Sequence, residues 1–279
     1  MSDQRNNWRL ILSPPAPGVW NMSVDESILE AVTQKLSLTT LRLYSWQPPC
    51  LSLGYAQPYS DVDLHSLAAL GWEVVRRPTG GRAILHTDEL TYSVIGLQED
   101  PNLSGTVLES YQNLSTALLK ALEILGLPAR ADAHPSIPLG NDSPGPICFE
   151  VPSTYEITVG GRKIVGSAQA RKKGGVLQHG SLPLQGDLGR ISYALVLSEQ
   201  ERQNASQRIR TRAMTVEEFL GYAPSWEMAA EAFQRAFAST LNLELHPSQL
   251  STWEEERAQE LLREKYGNQA WTAKLEQVQ

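Results

Sequence analysis

Two cysteines, four phenylalanines and five scattered histidines are all that 279 residues supply for disulfide, Phe-rich or metal chemistry. Cys50 and Cys148 are too few for a disulfide framework or a four-thiolate zinc site, and so sparing a use of thiols fits a reducing compartment. The histidines show no metal-ligand spacing, so no catalytic metal is expected. Long apolar runs are absent as well. Nothing approaches the roughly 20 residues of a membrane span, and the opening stretch has only Leu10-Ile11-Leu12 before Ser13-Pro14-Pro15, too little for a signal-peptide core. A cytoplasmic protein with no membrane partner is expected. An excess of positive charge is also missing: 24 Lys and Arg against 31 Asp and Glu leave a formal charge of −7, which repels polyanions and speaks against nucleic acid as a partner. The chain does have 41% apolar residues, no low-complexity segment and no internal repeat, which makes it a globular chain able to bury a sizeable core.

Several stretches declare their secondary structure. Ser23-Val24-Asp25-Glu26 has capping-box spacing, with Ile28, Ala31, Val32 and Leu36 behind it, and predicts a helix over about 24–36 lying on a sheet. Leu41 to Trp46 alternates like a half-buried strand, and Cys50 to Gly54 is a short apolar stretch after Pro48-Pro49. A helix is expected near 61–70, a strand over 72–77, a turn at Pro78-Thr79-Gly80-Gly81, and strand again from Arg82 to Val94, with Ala83, Leu85, Tyr92 and Val94 in the core. Val107, Tyr111, Leu114, Leu118, Leu122 and Leu125 mark a long amphipathic helix that Gly126 ends. Residues 132–147 read as a loop leading to Cys148. Tyr155–Val159, Gly160-Gly161 and Arg162–Ala168 read as a two-residue hairpin, followed by a third strand over 176–182. From Thr215 onward the pattern is helical, with capping boxes at Thr215–Glu218 and Ser251–Glu254, while 208–212 reads as an exposed connection. The expected organisation is 1–213 as a catalytic domain, with 214–279 as a helical C-terminal region packed on it.

Three segments concentrate residues useful to chemistry. In Arg76-Arg77-Pro78-Thr79-Gly80-Gly81-Arg82, followed by His86, a glycine pair can bring backbone N–H groups onto an anion or carbonyl, though a tight hairpin with a solvated basic edge explains the same residues. Cys148 lies between Gly145-Pro146-Ile147 and Phe149-Glu150. A lone cysteine is ordinarily a buried filler, and becomes a nucleophile only where a nearby cation raises its thiolate fraction. Cys50, without a basic neighbour in sequence, keeps the filler role. Lys163 should share a face with Glu156, Val165 and Ser167 if the hairpin register is regular, and the small residues Gly166-Ser167-Ala168 beside it clear room for a ligand. Gln178-His179-Gly180 follows on the next strand.

Taken together and in this order, these segments resemble the biotin/lipoate A/B protein ligase superfamily. The matches run from Arg76 to Ala83 with His86, through Lys163–Gln169, to His179-Gly180-Ser181-Leu182, with a weaker one in Lys265-Tyr266-Gly267 and Trp271. Within the superfamily the chain is similar to the cysteine-dependent octanoyltransferase branch. Thr-Gly-Gly-Arg replaces the triple glycine of adenylating lipoate ligases, and Cys148-Phe149-Glu150-Val151-Pro152-Ser153 stands where that branch carries its nucleophile. The resemblance implies an α/β (α+β) fold of mixed, largely antiparallel sheets flanked by helices. It further implies transfer of an octanoyl group from octanoyl-acyl carrier protein to a lysine of a lipoyl domain or glycine cleavage H protein, through a thioester on Cys148 and without a cofactor. Lys163 would activate Cys148. Arg76, Arg77, Thr79, Gly80, Gly81, Arg82, His86, Gly166, Ser167, Ala168, Gln178, His179 and Gly180 would bind substrate, with backbone amides at Gly80-Gly81 or in a Gln178-His179-Gly180 turn holding the thioester oxygen. Arg171-Lys172-Lys173 and Arg208, Arg210 and Arg212 are candidate basic landing sites for acidic partners. Three alternatives stay open: a ligase that uses ATP and magnesium, an octanoyl amidotransferase between lipoyl proteins, and a non-catalytic acyl-binding paralogue.

Overall fold

The computed structural model describes residues 6–133 and 155–274; Cys148 and the loop expected ahead of it from 134 onward lie outside them. Among the described residues, eleven strands form two sheets. The larger has the order β11-β1-β2-β6-β10-β9-β8-β7, made of β1 (Asn6–Leu12), β2 (Thr40–Tyr44), β6 (Glu89–Leu97), β7 (Arg130–Ala133), β8 (Tyr155–Val159), β9 (Arg162–Lys172), β10 (Gly175–Pro183) and β11 (Leu243–Pro247). The smaller is β4-β3-β5, from β3 (Cys50–Leu53), β4 (Glu73–Arg76) and β5 (Ile84–His86). β11-β1-β2 are parallel, and from β2 to β7 every pairing is antiparallel, so the sheet is mixed and mostly antiparallel.

Helices cover both faces of the large sheet. On one, α3 (Val107–Ile124) and α6 (Trp226–Thr240) bury Leu114, Leu118, Phe233 and Phe237 against Leu90, Tyr92 and Val94. Each such side chain contributes about 1.5–3 kcal/mol. On the other, α1 (Gly18–Thr33) lays Val24, Ile28 and Val32 on Ile95 and Leu177, and α7 (Thr252–Leu261) adds Ala258. The small sheet packs with α2 (Leu64–Leu70), a 3-10 turn over 188–194 and α4 (Glu199–Arg212) through Leu53, Leu67, Ile191 and Ile209. Short helices α5 (Val216–Leu220) and α8 (Gln269–Thr272) complete the chain, and among the described residues no helix is long and apolar enough to cross a membrane.

Five local expectations change. The strand expected from Arg82 to Val94 breaks at Thr87-Asp88 into β5 of the small sheet and β6 of the large one. The first helix begins at Gly18, not 24: Pro17 supplies the non-helical start, Ser23 bonds back to the Val19 carbonyl inside the helix, and Glu26 is a buried partner of Lys265 and Tyr266, not a cap. β2 is buried on both faces, because Arg42, which looked like its solvent side, is paired inside the molecule with Asp25 at 2.7 Å. Residues 208–212 are the last turns of α4, whose Ser198–Glu201 capping box lies ten residues upstream. Inside the largely helical C-terminal region, Leu243–Pro247 adds a strand beside β1. The Ser251 box, the Thr215 cap and the Gly160-Gly161 hairpin form as the residues imply, and the structure adds a capping box at Thr106 that opens α3.

Candidate active site

The smaller sheet meets the face of β9 and β10 that looks toward α1, and a narrow slot runs between them. Met22 of α1, Trp46, Ser52, Arg77, Gly81, Ile84 and His86 line one side. Gly166, Ser167, Ala168, His179, Gly180 and Ser181 line the other. Register explains the second group. His179 pairs with Ala168 and Ser181 with Gly166, so two imidazole and hydroxyl side chains rise beside a strip with almost no side chains. Gly180 cannot be enlarged, since a Cβ there would lie 2.6 Å from the Gly166 carbonyl and 2.7 Å from the Tyr92 ring.

Two hydrogen-bonded chains fix the polar lining. In the first, His86 Nδ1 lies 2.7 Å from Glu89 Oε1 and its Nε2 lies 2.8 Å from Ser52 Oγ, while its ring stacks on Trp46 at 3.9 Å. Glu89 also accepts from Ser181 and Thr91, and Trp46 Nε1 donates to Thr91. In the second, His179 Nε2 meets Thr79 Oγ1 at 2.6 Å and its Nδ1 stands 3.6 Å from Asp25 Oδ2. Asp25 also takes Arg42, Tyr44 and Ser93. Burial works to raise the Asp25 pKa, but the Arg42 guanidinium and the adjacent His179 outweigh it, so the carboxyl stays ionised. Burial lowers the His179 pKa despite Asp25, so the ring is neutral at pH 7, with its proton on Nδ1 toward the carboxylate and Nε2 accepting from Thr79.

Arg77 holds the glycine loop. Its guanidinium donates to the carbonyls of Ser52, Gly80 and Arg82 at 2.8–3.2 Å and to Ser52 Oγ at 3.1 Å. Gly81 has φ +89, and its carbonyl passes so close to Gly54 that a Cβ on Gly54 would sit 1.8 Å from it. The loop therefore folds onto β3 in a way only glycines permit. Gly80 and Gly81 are exposed, and their amides have no acceptor among the described residues.

Lys163 reaches the slot's face by an irregularity. Thr158 pairs with Lys163 but Ile157 pairs with Val165, so one extra residue in β9 reverses the alternation. Lys163 thus parts from Val165 and Ser167, which belong to the opposite face, and joins Gly166 and Ala168. Glu156 does share its face, as expected, and forms a buried ion pair with it at 3.0 Å. The Lys163 carbonyl accepts from Met214.

Other expected site residues are elsewhere. Arg76 alternates away from Arg77 and donates to carbonyls of Gly54, Tyr55, Gln57 and Thr272, bracing the loop from behind. Gln178 bonds Gln169 and the Tyr92 hydroxyl on the far face, where the Ser167 hydroxyl also lies. Gln178-His179-Gly180 is no turn: it is mid-strand, paired on both sides, so Gly80-Gly81 carry the better-placed amides. Of the basic runs, Arg171 is drawn onto carbonyls of Leu103, Gly105 and Thr106, while Lys172 and Arg210 pair with Glu26 and Asp187 and, with Lys173, Arg208 and Arg212, remain exposed. Cys50 is fully buried, its thiol pKa pushed up by burial and by Glu73 and Glu89, as befits a filler. Reading residues missed Asp25, Glu89, Ser52, Ser181, Trp46 and Met22; the one available signal was a charged Arg42 inside an otherwise apolar strand.

The family model for the lipoyl protein ligase A/B catalytic domain matches residues 17–238. The chain belongs to that family. Octanoyltransferase LipM of Symbiobacterium thermophilum is 42% identical over 269 residues, covering 95% of this chain and 97% of that protein. The Bacillus subtilis protein of the same name is 36% identical over 281 residues, covering 97% and 99%. Among solved structures, the bipartite lipoate protein ligase of Thermoplasma acidophilum superposes with a TM-score of 0.79 at 25% identity over 97% of both chains. A lipoate-protein ligase A bound with ATP gives 0.76 at 26% identity, over 96% of this chain and 99% of that one. The mixed α/β architecture is thus that of the lipoyl ligase family.

Proposed function

We propose that the chain carries an octanoyl group as a thioester on Cys148 and passes it to a lysine of a lipoyl-accepting protein. That it is an octanoyltransferase of lipoate biosynthesis follows from its family and from relatives 36–42% identical over nearly the whole of both chains. The thioester, the donor and the acceptor are the proposed part. The Cys148 thiol gives its proton to Lys163 and attacks the carbonyl carbon of octanoyl-acyl carrier protein; a new C–S bond forms, the C–S bond to the carrier breaks, and the carrier sulfur takes that proton back from Lys163 and leaves as the thiol. The acceptor amine then forms a C–N bond as the bond to Cys148 breaks, its proton passing by way of Lys163 to the departing sulfur. A thioester enters and an amide leaves, so no ATP is consumed.

The observation that carries this reading is Lys163, turned by the bulge onto the slot's face and paired with Glu156. Tyr155, where β8 starts, follows Cys148 by seven positions. At about 3.3–3.6 Å per residue the tether spans at most ~25 Å, and Tyr155 lies one strand away from Ser167 at the slot. The slot suits the acyl chain because its polar groups already satisfy one another. Burying about six methylenes at ~0.8 kcal/mol each contributes about 5 kcal/mol. Gly80 and Gly81 amides are offered for the thioester oxygen.

Purified protein should octanoylate an apo lipoyl domain or H protein from octanoyl-acyl carrier protein without nucleotide. Transfer only from free octanoate with ATP and magnesium would make it a ligase, transfer only from an octanoylated lipoyl protein an amidotransferase, and binding without turnover a scaffold.

A further inference from the structure

The lining grades from exposed to buried. Gly81 is open to solvent at the mouth, Ala168 is half-buried, His86 and His179 are nearly covered, and Met22 of α1 is completely enclosed. An acyl chain entering beside Gly81 with its carbonyl near the loop therefore advances methyl-first toward Met22. Polar and aromatic groups on the same wall are held: Ser52 by His86 and Arg77, His86 by Glu89 and Ser52, Trp46 by its bond to Thr91 and its stack on His86. Met22 has no such tether. Its unbranched thioether, with three rotatable bonds, is the one adjustable side chain at the closed end.

What lies behind Met22 gives this meaning. The same side chain belongs to an apolar cluster with Tyr44, Trp46, Cys50, Val75, Leu261 and Tyr266, sealed by Val19 and Trp271. Met22 thus stands between the slot and a packed apolar core, so a shorter side chain there leaves apolar space that extends the slot's buried end. On the transferase reading of the slot, we infer that Met22 is the end-stop that sets acyl-chain length. It touches the ω-end of the acyl group and not the reacting atoms, so it governs which chain is accepted and leaves the chemistry to others.

The test is competition among hexanoyl-, octanoyl-, decanoyl- and dodecanoyl-acyl carrier protein, read as relative kcat/KM, for the wild type, Met22→Val and Met22→Ala. The shortened side chains should move the optimum from eight carbons to ten or twelve, with the dodecanoyl-to-octanoyl ratio rising about tenfold or more, since a methylene gained or lost in an apolar pocket is worth about 10–200-fold. Met22→Phe should shift preference to hexanoyl. Met22→Val guards against a collapse caused by the larger truncation, and thermal melting identifies any variant that does not fold. An unchanged chain-length ranking in folded variants that still transfer octanoyl overturns the inference. A wild type that transfers no acyl group from any carrier overturns the transferase reading instead, so the two failures are told apart.

Discussion

At the scale of single residues, the site depends on charges that are buried and answered. Arg42 and Asp25 are both sealed from solvent, and Asp25 in turn faces His179. Arg42→Ala would strand a carboxylate in the interior, and a destabilisation of about 3–5 kcal/mol in urea titrations is expected. Acid should attack the same network in two stages. His179 has its pKa depressed below the usual 6.5 by burial, so the unfolded chain binds the proton more readily. Stability therefore declines as pH falls below 6.5 toward the folded-state value. Asp25 is held below its usual 3.8, so its contribution is complete above 3.8 and is lost as pH drops further. Melting temperatures between pH 7 and 5 should fall in the wild type and fall less in His179→Asn; equal slopes would show that His179 is not the group responsible. Lys163→Ala should slow acylation by about 100-fold with circular dichroism unchanged, the scale of a lost proton-transfer group. Much of this was legible. Arg77, Thr79, Gly81, His86, Gly166, Ala168 and His179 meet at one slot, and glycines beside charged residues signalled it. Asp25 and Glu89 were not, since their roles come from partners on other elements. Arg42 in β2 was the sole hint: a charge in an apolar strand needs an opposite charge, and reading it as solvent-facing concealed Asp25.

At the scale of elements, two backbone features build the site. The extra residue in β9 aims Lys163, and regular alternation could not reveal it, because a bulge depends on pairing to β8 and not on residue type. The glycine at 180 lets β9, β10 and Tyr92 close on one another. Gly180→Ala should cost about 1–3 kcal/mol through overpacking and impair transfer together with stability, measurable in one denaturation series. Helix ends were the easiest elements to read, since a capping box is local; α1 was misjudged because buried Ser23 and Glu26 happen to copy its spacing.

At the scale of the whole molecule, the C-terminal region is built into the rest. β11 extends the large sheet beside β1, Glu254 of α7 binds Arg9 at 2.7 Å, and Tyr266 and Lys265 reach Glu26. Trp271 bonds the Arg76 carbonyl, directly behind the glycine loop. We propose that 214–279 packs as part of one cooperative unit, so calorimetry should record a single unfolding transition, and two separated transitions would contradict it. Period-based reading found these helices but not the strand among them, because only five residues long, Leu243–Pro247 carries a proline and a histidine and owes its conformation to β1. On the proposed function, the joining of these parts serves one sulfur, that of Cys148. Intact-mass spectrometry of the protein mixed with octanoyl-acyl carrier protein, without nucleotide, tests that most directly. One octanoyl group should appear on the chain, be released by hydroxylamine and be missing in Cys148→Ala, whereas an equally labelled Cys148→Ala protein, or a label that resists hydroxylamine, would contradict acylation through Cys148.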